Sequence, residues 1–330
     1  MADGRRIRRG IRQTGRVKNF NRAPRIAVLG SANMDLVVRA PRLPEPGETM
    51  FGSGFSTVPG GKGLNQGVAA ARQGGAVDFM GAVGDDAYGA HLRELLHDNE
   101  MGVDGLATAD APTGTAHISV VDSGENSIVV VSGANATVTS LSPVQERIIR
   151  DAAFLVMQCE LPVAALEAGI EVARAAGVFT VLTPAPVMPL PKGFLASVDL
   201  VVPNRLEALE LTGETDPVRA AELLSAGRTW AIVTLGAEGC IVAFDGAVLG
   251  LAPARPVTAV DTTAAGDTFV GALVARLASF DLGTPVRESV SEERMIDAVR
   301  WATVASSISV TRPGATSSMP HLAEVAAVLA

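Results

Sequence analysis

Apolar positions in this chain follow two alternating periods. Residues 26–29 of "RIAVLGSANMDLVVRA" are continuously apolar, as in a strand buried on both faces, and 36–40 form a second extended piece. "PRLPEPGET" then breaks the chain, and strand-like "TMFGSGFSTV" runs into a glycine turn. The following "GLNQGVAAARQGG" places Leu64, Val68 and Ala71 on one helical face. Next come a strand at 77–83, a helix at 87–99, and extended runs at 117–122 and 127–131 joined by the hairpin signal "SGEN".

Beyond Pro143 the alternation becomes regular. Helices are predicted at 144–150, 162–176, 205–212, 218–226, 266–279, 292–309 and 323–329. Strands are predicted at 154–157, 178–182, 200–202 and 230–234, followed by a pair at 240–244 and 247–251 around Asp245-Gly246. Such β/α alternation implies a mostly parallel sheet covered by helices on both faces. The extended pieces within about 34–58 and 114–131 do not fit that layer and are read as a small antiparallel lid.

Composition narrows the class. A hydrophobic fraction of 48% with only 4% aromatics means a core of Ala, Val, Leu and Ile. No apolar run reaches transmembrane length and no signal-peptide core is present, so a cytoplasmic protein without membrane contact is expected. Residues 1–22 carry eight basic side chains against Asp3, whereas the whole chain is at −8, so the body is acidic and nucleic acid is not the expected partner. That basic arm lacks apolar periodicity and is predicted to be a disordered extension, leaving 23–330 as one domain. Cys159 and Cys240 read as buried thiols, and the four histidines have no ligand spacing.

The chemistry concentrates in a few segments. "PGGKGLNQ" is not a Walker loop, because Gly63 stands where the hydroxyl after Lys62 should be. "DTTAAGDTF" opens an apolar helix with Ala264, Ala265, Gly266 and Asp267, whose unpaired N–H groups suit an anion, although the segment taken alone reads more plainly as a helix start with Asp267 as a capping or first-turn acid. "VVPNRLEALELTG" sets Asn204 and Glu207 one turn apart, on one face of a helix start, where a capping pair is the plain alternative. "IVTLGAEGC" ends a strand in a tight glycine turn.

Together these segments resemble the ribokinase-like (PfkB) carbohydrate kinases from about residue 25 to 330, including both signatures of that family at 60–65 and 261–269. The resemblance implies a three-layer α/β/α fold with a small β lid. It also implies ATP-dependent phosphorylation of the primary 5-hydroxyl of D-ribose, with another small sugar, a nucleoside or a non-catalytic sugar-binding role as alternatives. By the same resemblance Asn33, Asp35, Gly61, Lys62, Asn65 and Glu160 hold the sugar, and Asp267 is the general base beside an anion hole at 264–267. Asn204, Thr234, Gly236, Gly239, Gly266 and Thr303 fall at the nucleotide, and Glu207 meets Mg²⁺ through water. Asp261, Thr263, Ser309, Arg312, Gly314 and Ser318 fall on a loop enclosing K⁺, and two lids are expected to pair into a homodimer. The inventory suits a polyol, which offers hydroxyls and little apolar surface, so its site needs carboxylates, amides and an ammonium that leave nothing unpaired.

Overall fold

The computed structural model describes residues 25–330 apart from Gly124 and Thr284. The basic segment 1–22 lies outside the described residues. Strands β1 (Arg25–Leu29), β2 (Asn33–Ala40) and β3 (Gly54–Gly60) lead into helix α1 (Lys62–Arg72). Then come β4 (Ala76–Gly84), α2 (Ala87–Asp98), β5 (Gly102–Ala109), β6 (Gly114–Val121) and β7 (Asn126–Val131). The regular part comprises α3 (Pro143–Asp151), β8 (Phe154–Gln158), α4 (Val163–Ala176), β9 (Phe179–Thr183) and β10 (Leu200–Val201). It continues through α5 (Arg205–Thr212), α6 (Pro217–Leu224), β11 (Trp230–Thr234), β12 (Cys240–Phe244) and β13 (Ala247–Ala252). Helices α7 (Ala265–Ala278), α8 (Glu292–Ser309) and α9 (Leu322–Leu329) follow.

The main sheet has the order β13-β12-β11-β10-β9-β8-β1-β4-β5 and is parallel except for the β11–β12–β13 edge. Alternation along β1 sends Ile26 and Val28 into the core beneath α1, α7 and α8, and Ala27 and Leu29 into the core beneath α3 and α4. Both faces are therefore covered, as the continuous apolar run predicts. β5 was not foreseen: "GVDGLATA" is glycine-interrupted and half exposed, a pattern an edge strand tolerates. Both cysteines are free and buried, as their apolar surroundings predict.

Strand order reverses at β1, which lies between β4 and β8. A crevice beyond the carboxyl ends of β1 and β8 is the ligand position that such a reversal creates. From there β2 leaves the main body as part of a second sheet, ordered β3-β2-β6-β7. Its outer pairings are antiparallel, and its central β2–β6 pairing is parallel.

Candidate active site

The turn after β1, the end of β8 and the start of α1 meet at this crevice. Glu160 accepts hydrogen bonds at one carboxylate oxygen from the Ser31 hydroxyl and from the Lys62 N–H, the latter at 2.9 Å. Asn135 grips the Ala32 backbone on both sides, its Oδ1 accepting at 3.0 Å and its Nδ2 donating at 3.2 Å. The same Nδ2 donates to Asn33 Oδ1 at 2.7 Å, which engages the oxygen of the buried Asn33 amide. Gly63 makes the turn possible, since a Cβ there would stand 2.6 Å from Gly30 Cα. The room left by the glycine is thus filled by the protein's own backbone. Gly61 is the N-cap of α1, with φ +91°.

Asp267, in the first turn of α7, is 8% exposed. Each of its oxygens receives one amide donor: Asn65 Nδ2 at 3.1 Å and Gln66 Nε2 at 3.0 Å. These bonds need α1 and α7 nearly backbone to backbone. Gly271 allows it, because a Cβ there would lie 2.5 Å from both Ala69 Cβ and the Gln66 carbonyl. Gln66, Gln158, Thr183, Ser31 and Asn135 escaped the sequence reading. Two of them carried a visible signal: Gln158 ends the otherwise apolar strand "FLVMQ", and Gln66 is an amide in a small-residue helix.

Four carboxylates surround one ammonium. Burial, then Glu160 and Asp267, raise Asp35 to about 7, against a lowering pull from Lys62. Burial likewise raises Asp267 and Glu207. Burial alone would lower Lys62, but Asp267, Glu160, Glu207 and Asp35 together hold it above its ordinary value. A carboxyl raised in the folded state keeps its proton there longer than in the unfolded chain. Its contribution to stability is full below about pH 4 and is lost as pH rises through about 7. The ligand-free protein should therefore lose stability over that window by up to about 1.4 kcal/mol per pH unit from this group. Thermal melts of Asp35→Asn against wild type check this; parallel melting curves at every pH would contradict it.

Beyond Asp267 the N-terminus of α7 faces a cleft of about 500 Å³ lined by Thr234, Gly236, Gly239, Gly266 and Thr303 among others. Ala264, the N-cap, sits in the left-handed region at φ 55° and supplies no side-chain cap. A Cβ at Gly266 would meet nothing within 4 Å, so open space lies before the N–H groups of the first turn. That arrangement, with the dipole of a 14-residue helix behind it, favours an anion. Asn204 and Glu207 form a reciprocal capping box on α5, with bonds of 2.9 and 2.8 Å. The plain capping reading thus holds, yet only one Glu207 oxygen is used, and the carboxylate is electrostatically coupled to Lys62 and Asp267.

Asp261 ties two loops together beside this cleft. One of its oxygens accepts from the Thr263 N–H at 2.9 Å and the other from the Gly314 N–H at 2.8 Å. The Ser309 and Ser318 hydroxyls donate to the Ser306 and Ala315 carbonyls, and Arg312 pairs with Glu324. Asp261, Thr263 and Gly314 thus meet, whereas Ser309, Ser318 and Arg312 make their bonds to Ser306, Ala315 and Glu324.

Comparison with known proteins shows the family. The family model described as pfkB family carbohydrate kinase matches residues 23–322. A ribokinase of Schizosaccharomyces pombe is 38% identical, over 91% of this chain and 96% of its own length. A ribokinase of Haemophilus influenzae is 37% identical, over 89% of this chain and 95% of its own. The solved structure of Arabidopsis thaliana ribokinase complexed with ribose and ATP is similar at TM-score 0.84 and 31% identity, covering 93% of this chain and 99% of that one. By sequence and by fold, the chain belongs to the pfkB family of carbohydrate kinases.

Proposed function

We propose that this chain transfers the γ-phosphoryl group of ATP to the primary 5-hydroxyl of D-ribose. The observation that carries the reading is the position of Asp267, buried where a polyol-sized set of Asn33, Asp35, Lys62, Asn65 and Glu160 meets the uncapped N-terminus of α7. The relatives named ribokinase, and the neighbour complexed with ribose and ATP, favour the same substrates.

In this mechanism Asn33, Asp35, Gly61, Lys62, Asn65 and Glu160 orient the sugar. The 5-oxygen attacks the γ-phosphorus while its proton passes to a carboxylate oxygen of Asp267. The bond to the β–γ bridging oxygen breaks, and its electron pair leaves with ADP. The backbone N–H groups at 264–267 stabilise the charge gathering on the transferred group. Asn204, Thr234, Gly236, Gly239 and Thr303 border the nucleotide.

The surplus of carboxylates over cations, with Glu207 raised by burial, suits a divalent ion. Glu207 would hold Mg²⁺ through water, and Mg²⁺ supplies neutralisation of the phosphate charge. The test of the function is a panel of D-ribose, deoxyribose, hexoses and adenosine with ATP and Mg²⁺, reading ADP release. Strongest turnover with any sugar other than ribose overturns the substrate assignment.

Asp261, Thr263 and the loop bearing Ser309, Arg312, Gly314 and Ser318 would enclose K⁺ and brace the anion hole from behind. The bridging of the two loops by Asp261 supports this, because a bound ion there would stiffen the segment leading into α7. Rates severalfold higher in K⁺ than in Na⁺ are expected, and equal rates in the two salts would remove the cation from the mechanism.

Residues 23–330 act as one catalytic domain, and its lid pairs with that of a second copy. Phe51 is 97% and Phe55 66% exposed, and the edge strand β7 is exposed along its length. An uncovered apolar edge of this kind favours pairing. Sedimentation should give a dimer that Phe55→Glu weakens; a monomer at micromolar concentration rules the pairing out.

A further inference from the structure

A chain of two buried amides, Gln158 and Gln66, ends on the Asp267 carboxylate. We infer that Gln66, oriented by Gln158, is the positioning residue for the Asp267 carboxylate, holding it ionised and aimed as a proton acceptor. The inference rests on the reading of Asp267 as the general base.

Gln66 is 1% exposed and Gln158 is fully buried. Gln66 Nε2 donates to Asp267 Oδ1 at 3.0 Å and to Thr183 Oγ1 at 3.1 Å. Its Oε1 accepts from Gln158 Nε2 at 2.7 Å. Both donors and the acceptor of this amide are thereby committed. A half-turn of the amide would set its carbonyl oxygen against the carboxylate and its amino group against the amino group of Gln158. The bond from Gln158 therefore selects the orientation in which Gln66 gives, rather than asks for, a proton toward Asp267. Gln158 Oε1 packs against Gly30, where a Cβ would lie 2.2 Å away, and among the described residues it has no hydrogen-bond partner, so its Nε2 is the end of this amide that is engaged.

The two donors on Asp267 differ in setting. Asn65 belongs to the set assigned to the sugar, whereas Gln66 reaches the carboxylate from the sheet side, through β8 and β9. Other charged groups facing Asp267 are Lys62 from α1, Glu160 after β8, Asp35 from β2 and Glu207 from α5. Three of these four are acids that favour a protonated Asp267. A fixed neutral donor counters them without adding charge that would compete for the phosphoryl group.

The test is the pH dependence of kcat for Gln66→Glu and Gln66→Leu beside Asp267→Asn. Gln66→Glu keeps the shape and the bond from Gln158 but brings a second carboxyl against Asp267, and such a pair shares one proton. Its acid limb should move up by about two pH units, with kcat at neutral pH down on the order of 10²-fold and recovering in alkali. Gln66→Leu removes the donor alone, so a rise of about one unit and a loss of roughly tenfold are expected. KM for ribose and ATP should stay within about threefold in both, as for loss of an interaction made in the chemical step.

A merely structural role would lower kcat and thermal stability while leaving the limb in place, and that result overturns the inference. Should the Leu variant fail to fold, Gln66→Met, which keeps the side-chain length and removes the donor, takes its place, with the same upward move of the limb expected. If Asp267→Asn is inactive and the limb is unmoved, only the role of Gln66 falls; if Asp267→Asn retains activity within tenfold, the general-base reading falls with it.

Discussion

Asp267→Asn is expected to lower kcat by about 10²- to 10⁴-fold, the usual worth of a positioned general base. Nucleotide affinity should change little, because the cleft before α7 is formed by Thr234, Gly236, Gly239, Gly266 and Thr303 rather than by the Asp267 side chain. The substitution is close in size, so it removes the proton acceptor while the helix keeps its uncapped N-terminus. Residual turnover would then measure the anion hole and substrate positioning without base catalysis. Burial raises Asp267 from its ordinary value, so wild-type kcat should climb with pH on its acid side as the carboxyl ionises. That rise should vanish in the variant. Steady-state kinetics with ATP titrations check both parts, and activity within tenfold of wild type would take Asp267 out of the role.

Lys62→Met should reduce kcat/KM for the sugar by about 2–5 kcal/mol, or roughly 30- to several-thousand-fold, the cost of truncating one member of a buried charge cluster. The ammonium faces Asp35, Glu160, Asp267 and Glu207, and it is a leading influence opposing the raised values of Asp35, Asp267 and Glu207. Its loss therefore leaves like charges facing one another in a partly buried crevice. Asp35 and Asp267 should both take up protons at higher pH than in wild type, and the acid limb of the rate profile should move up. Lys62→Arg keeps the charge but not the compact shape of an ammonium, so it should restore the limb without restoring sugar affinity. A limb unmoved in Lys62→Met would show that the ammonium does not set the ionisation of these groups.

Much of this architecture was legible in the chain. Ile26–Val28 and Ala27–Leu29 face opposite cores, and a strand covered on both sides must be apolar at every position, which makes β1 visible in sequence. The starts of α7 and α1 were visible for another reason: small residues and glycines before a helix mark a turn with no side-chain cap, although at α1 the N–H groups of Lys62, Gly63 and Leu64 turn out to be taken by Glu160 and Ser31. β5 escaped because an edge strand interrupted by glycine has no such constraint. The lid was anticipated as antiparallel; its central pair is parallel because β2 and β6 both leave the main body in the same direction. Gln66 and Gln158 escaped because an amide does not declare from sequence whether it faces water or a carboxylate.

The amino-acid order by itself determined the succession of strands and helices and the chemical inventory: amides, carboxylates, one lysine and two glycine-rich turns. Those depend on local period and backbone freedom, which neighbours in sequence decide. Only the tertiary structure decided which groups share a proton economy. Asn65 and Asp267 are separated by 202 positions, and they meet because Gly271 lets α7 lie against α1. Asp35 rises to about 7 because folding removes water from it and sets Glu160 and Asp267 nearby, with Lys62 in partial opposition. Ionisation follows desolvation and distance, and both are properties of the packed chain.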